Sequence, residues 1–134
     1  MPFNIFPAIS AAAAPYLLLI LGSLALLVVY LLIALVEGVA LTLLGWNPFR
    51  TCLTVSVIMN LIAGVINGPL LVLLQHTPLV WLPVSFMLSF LIDAFILTYF
   101  KRQVIRQNSL FALLVNLVSY ILLIFPAYYF GTHP

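Results

Sequence analysis

Residues 16–44 contain a single charged side chain, Glu37. Hydrocarbon is the solvent that tolerates such a run, and there each backbone N–H and C=O has to be satisfied within the segment itself. A helix does this; an isolated strand does not. A bilayer core ~30 Å thick is crossed by about 20 mainly apolar residues. Three more stretches fall in the workable range, at about residues 51–74, 84–100 and 108–130. The first stretch is long enough to tilt or to project beyond the hydrocarbon. The breaks contain Gly45-Trp46-Asn47-Pro48, then His76-Thr77-Pro78 through Pro83, then Lys101 to Gln107. Proline restricts its own backbone and that of the residue before it, so these are expected helix ends.

Composition points the same way. Of 134 residues 66% are hydrophobic and 4% charged, against roughly 25% charged in a soluble domain. The expected fold is an all-α integral membrane protein forming one membrane domain, with lipids as its surroundings. The four Lys and Arg side chains cannot build a phosphate-tracking patch, so nucleic acid is excluded as a partner. Cys52 is the one cysteine, which excludes an intrachain disulfide and any Cys-pair metal or redox motif. It reads as a packing residue, with palmitoylation the alternative. The start, MPFNIFPAIS, has no basic n-region and does not read as a cleaved signal peptide.

Charge sets the expected orientation. Arg50 lies in the first loop, and Lys101, Arg102 and Arg106 lie in the third. The positive-inside rule puts both of those hairpin loops in the cytoplasm and both termini outside. Aromatics near the ends agree, with Trp46, Tyr99 and Phe100 inside and Trp81, Tyr128, Tyr129 and Phe130 outside.

The two acidic residues each head the same spaced pattern. Glu37 is followed 13 positions on by Arg50 and 10 further by Asn60; Asp93 is followed at the same spacings by Arg106 and Asn116. Aligning residues 35–61 with 91–117 gives six identities in 27 without a gap, Arg50/Arg106 and Asn60/Asn116 among them. The chain therefore reads as two helical hairpins, about residues 16–75 and 82–130, of the same orientation. That makes a parallel repeat about an axis along the membrane normal.

The spacing also fixes depth. Glu37 and Asn60 lie equally far from the centre of the first hairpin, as Asp93 and Asn116 do in the second, so antiparallel helices bring each pair to one level. About nine helical residues, or ~13 Å, separate that level from the cytoplasmic boundary, which is near the midplane. An isolated carboxylate there costs about 2.5 kcal/mol or more, so each should be neutral or heavily hydrogen-bonded. Polar and small residues share faces with them: Ser85, Ser89 and Asp93; Ser56, Asn60, Gly64 and Asn67; Ser109, Ala112, Asn116 and Ser119; Ala34, Gly38 and Ala40 around Glu37. Such stripes favour helix–helix interfaces in lipid.

Three readings of the Glu37, Asn60, Asp93 and Asn116 cluster stay open. It is an interhelical clamp, a proton or cation site, or a patch that meets another subunit. Asn67-Gly68-Pro69 predicts a kink in the second helix, with an unwound, cavity-lining segment as the sharper alternative. His76 and His133 both fall on the outer side, without a carboxylate to complete a metal site. No His lies near an acid in sequence, and no nucleophile elbow or Gly-rich phosphate loop is present. The expectation is a protein without enzymatic activity, cofactor or metal.

The pattern Leu35-Val36-Glu37, Arg50, Asn60-Leu61 is similar to a segment of small bacterial polytopic membrane proteins such as the cyanobacterial filament-integrity, or septal junction, proteins. The resemblance covers one hairpin at a time and implies a structural or interaction role in a bacterial inner membrane. The expected function is thus an accessory or assembly component of a membrane complex, in lateral contact with other subunits or with itself. The alternative is a small proton- or cation-coupled transporter using Glu37 and Asp93.

Overall fold

The computed structural model describes residues 5–74 and 76–132, with side chains over 14–74 and 76–131. Four helices are long and apolar enough to cross a membrane. They are α1 (Ile5–Leu43), α2 (Phe49–Leu74), α3 (Pro78–Phe100) and a fourth span that opens with a 3-10 turn (Arg102–Val104). That span continues as α4 (Ile105–Ser119), a π-helical segment (Tyr120–Ile124) and α5 (Phe125–Thr132). α1 packs on α2, α2 on α3, α3 on α4, and α4 closes back on α1. This is the up-down arrangement that short connections impose on neighbouring antiparallel helices.

Both hairpin turns are built by their own sequence. Gly45 has φ 72°, which costs glycine little because it has no Cβ. There Gly45 N–H bonds Thr42 C=O at 2.9 Å and Trp46 N–H bonds Leu41 C=O at 3.0 Å, the Schellman pattern that satisfies the last carbonyls of a helix. The turn sends Trp46 inward, where it is 2% exposed. Trp46 therefore packs within the protein at the loop end. The other hairpin uses Asn108, also fully buried. Its amide donates to Leu97 C=O at 3.2 Å and to Lys101 C=O at 2.7 Å, capping the end of α3. Asn108 Oδ1 then accepts from Trp46 Nε1 at 3.0 Å, and Lys101 Nζ donates to the Trp46 carbonyl. These contacts clasp the two hairpins together at their loops.

Several helix ends differ from expectation. α1 begins at Ile5 and passes through Pro15, and α3 begins at Pro78 with Pro83 inside it. Pro78 occupies the first turn, where its missing N–H would have been unpaired in any case. α2 stays helical from Phe49 to Leu74 with Pro69 inside, which removes the unwound-segment reading of Asn67-Gly68-Pro69. Irregularity falls instead on the fourth span. Phe125 N–H reaches back to Tyr120 C=O, widening the turn just ahead of Pro126, which has no N–H and whose ring would press on the carbonyl four residues back.

The core occupies the loop half of the bundle. Leu41, Cys52, Val55, Met59, Leu97, Ala112 and Val115 are each 0–1% exposed, with Ile96, Phe111 and Trp46 beside them. Gly38 lets α1 and α2 approach closely: a Cβ built there would lie 3.0 Å from Leu53 Cα. Toward the termini packing thins, and Leu17, Leu18, Leu19, Ile20 and Leu21 of α1 are 53–70% exposed.

Candidate functional site

The two acids and their asparagines lie where the tight half of the bundle gives way to the looser half. Glu37 and Asp93 are each 2% exposed. Asn60 Nδ2 donates to Glu37 Oε2 at 2.6 Å, and Asn116 Nδ2 to Asp93 Oδ2 at 2.6 Å. In each case the second amide hydrogen goes back one turn, to Ser56 C=O at 3.0 Å or to Ala112 C=O at 2.9 Å. Both asparagine amides are thereby used fully as donors. A 23-residue separation along the chain brings each pair together, because two antiparallel helices of equal reach put those positions at one depth.

The two carboxyls are not equivalent. Glu37 also accepts from Ser119 on α4 at 2.8 Å and, at 3.4 Å, from Ser56. The residues 56 positions from these serines, the offset that separates Glu37 from Asp93, are Ala112 and Ala63. Glu37 is thus held by three side chains from two helices, whereas Asp93 is held by Asn116. A carboxyl group offers about four acceptor positions, so Asp93 retains capacity for a further donor.

Above the carboxyls, toward the termini, lies a cavity of about 130 Å³. Glu37, Asn60, Asp93 and Asn116 form its base. Tyr30, Asn67, Ser85, Ser89, Ser119 and Tyr120 line its middle, and Leu26, Leu71, Trp81 and Ile124 stand farthest from the acids. At about 30 Å³ per water, the space admits roughly four waters. Leu26 is 52% exposed and Val29 44%, so the wall reaches the surface on the α1 side. The polar face of α3 runs up the cavity at four-residue steps, Asp93, Ser89, Ser85 and Trp81. Tyr120, set by the π segment, donates to Ser85 Oγ at 2.8 Å, and Asn67 Nδ2 donates to Ser89 Oγ at 3.1 Å. Two buried polar atoms in the wall have no partner, Asn67 Oδ1 and Trp81 Nε1.

The remaining sequence-predicted residues sit elsewhere. Arg50, Arg102 and Arg106 are exposed at the loop end, and Arg102 lies over the Tyr99 ring at 5.7 Å. Lys101 is half-buried, 5.3 Å from the Trp46 ring. Ser109 does not face the cluster; it bonds back to Ile105 C=O at an exposed position, and Asn108 takes the inward place. Ala40 is half-buried against the core. His76 is exposed and His133 lies outside the described residues. No group of three His, Cys, Asp or Glu able to hold a metal occurs among the described residues. Sequence reasoning missed the roles of Tyr30, Trp81 and Tyr120, whose aromatic character alone gave no sign of facing a cavity. It also missed Asn108, which does carry a signal: it falls two helical turns before Asn116 on the same face.

The chain matches no protein-family model, no curated protein and no solved structure.

Proposed function

We propose that this protein is a small proton- or cation-handling membrane transporter whose working group is the Glu37/Asp93 pair. One observation carries the reading. The carboxyls lie at the base of a cavity that reaches toward the termini, while the opposite side is filled by a packed apolar core and closed by the Trp46–Asn108–Lys101 clasp. A group serving only to fix helix register gains nothing from a space able to hold water, because its bonds are strongest when dry. Ionisable residues inside a membrane that face such a space are the usual markers of ion and proton paths.

In this reading the two hairpins are parallel repeats about an axis along the membrane normal, and both termini are outside the cytoplasm of a bacterial inner membrane. The placement of all four basic residues at the hairpin loops supports that orientation. With that orientation the cavity faces outward, and transport requires the clasp to open in turn. The direct test is reconstitution in liposomes loaded with a pH dye. An imposed proton gradient, or a gradient of sodium or potassium, should collapse faster than in protein-free liposomes. Equal rates for all three ions would remove the reading.

A second reading, an accessory or assembly component of a membrane complex, has its own support. Glu37 and Asn60 lie at one depth, and α2 runs 14 residues beyond Asn60; the same distance back along α1 reaches Ser23. Residues 5–22 therefore extend about 27 Å past the end of α2. The described part of that extension is apolar and exposed, a face suited to a partner helix. Native purification and mass spectrometry of co-migrating chains tests it, with a stoichiometric second protein as the supporting result and a lone chain as the opposing one.

A further inference from the structure

We infer that the cavity binds an organic ammonium ion, with its charge on Asp93 and a second polar group of its body at Asn67. The inference deepens the transporter reading by naming a substrate class, and it rests on that reading of the cavity as an open site.

Asp93 is the carboxyl with acceptor capacity left. Glu37 accepts from two serines besides its asparagine, whereas Asp93 accepts from Asn116. An N–H donor from a ligand fits that unfilled capacity. A bare metal ion fits poorly, since the carboxyl oxygens nearest the asparagines already accept amide hydrogens and the walls above are largely aliphatic and aromatic. Hard cations want six or more oxygens around them.

Asn67 points independently to a ligand. It is 6% exposed, it lines the cavity, its amide nitrogen is used by Ser89, and its Oδ1 has no partner. A buried acceptor left without a donor is unfavourable, and a hydroxyl or amide N–H on the ligand would supply the donor. Ser89, its bonded neighbour, is one helical turn above Asp93, which sets the two polar groups of the ligand about 6 Å apart. Tyr30 and Tyr120 in the same lining offer aromatic surface of the kind that accepts ammonium ions and the CH₂ groups beside them.

The test is calorimetric titration of the detergent-purified full chain with three compounds of one length: 4-amino-1-butanol, butylammonium and 1-butanol. Saturable binding of both ammonium ions is expected, with the amino alcohol roughly three- to tenfold tighter, the span of one net hydrogen bond. Butanol should show no saturable heat. Asp93→Asn should weaken the amino alcohol tenfold or more. Asn67→Ala should leave the two ammonium ions equal, which keeps the inference testable if Asp93→Asn does not fold. Absence of saturable binding by the folded wild type would overturn it, as would butanol binding like the amines or butylammonium matching the amino alcohol in the wild type. Flux without amine binding would remove this substrate and leave transport standing. Amine binding without flux of any ion would leave the site standing and remove transport.

Discussion

Ser119 on α4 donates its hydroxyl to Oε1 of Glu37 on α1 at 2.8 Å, joining two residues 82 positions apart. The same Oγ lies 3.0 Å from the carbonyl of Asn116 in its own helix, and Asn116 holds Asp93. One serine thus connects the two acid–asparagine pairs across the closure between α1 and α4. Asp93 has no such serine and is held by Asn116, which makes Glu37 the more firmly fixed carboxyl and Asp93 the freer one.

Ser119→Ala should therefore destabilise the bundle modestly. Hydrogen bonds between membrane helices average about 0.6 kcal/mol and reach about 1.7. A double-mutant cycle with Glu37→Gln, read by unfolding in detergent, should return a coupling of that size. A coupling indistinguishable from zero would mean that the contact carries no energy.

Trp46→Phe keeps an aromatic side chain but removes the indole N–H and part of its bulk. Asn108 Oδ1, fully buried, would lose its donor, at a cost of about 1–3 kcal/mol for a stranded polar group. Loosening should start at the loops, so Cys52, 0% exposed in the same cluster, should react faster with thiol reagents in the variant. Unchanged Cys52 reactivity would separate the clasp from the sealing of the loop end.

How far the sequence revealed this arrangement follows from what each contact depends on. The four spans were legible because hydrocarbon demands long apolar helices. The meetings of Glu37 with Asn60 and of Asp93 with Asn116 were legible as equal depths, since depth follows from counting residues. Contacts between hairpins were not legible. Whether Ser119 faces Glu37, or Trp46 faces Asn108, depends on the rotation and lateral docking of one hairpin against the other, and no spacing encodes that. The cavity was hidden for the same reason: it is the space the helices leave where their packing thins. The extension of α1 back through Pro15 to Ile5 was also unread, because proline is expected to end a helix, and so was the π segment ahead of Pro126, which no residue spacing marks.

Two glycines on α1 should respond oppositely to alanine. At Gly38 a Cβ would meet the Leu53 backbone at 3.0 Å, which a flexible side chain cannot relieve, so Gly38→Ala should cost about 1–3 kcal/mol as overpacking does. At Gly22 nothing lies within 4 Å, and Gly22→Ala should be neutral or stabilise by up to ~1 kcal/mol through helix propensity. Thermal unfolding of both variants side by side checks the close approach of α1 and α2. Equal effects at the two positions would contradict it.

Orientation is tested at the other end of the chain. Gly131 has open space around it, and a Gly131→Cys variant on a Cys52→Ala background should react with an impermeant thiol reagent added to intact cells. Labelling that appears only after the cytoplasmic side is opened would invert the topology.

If Asp93 and Glu37 exchange a proton or cation, and do not merely hold helices together, flux depends on their ionisation. Asp93→Asn and Glu37→Gln preserve shape and most hydrogen bonds while removing ionisation. Proton and cation flux in liposomes, measured beside thermal stability in detergent, tests the claim most directly. Flux abolished in Asp93→Asn and in Glu37→Gln, with unfolding temperatures close to wild type, is the predicted result. Wild-type flux retained by the folded amide variants would contradict it and leave the cluster as a structural clamp.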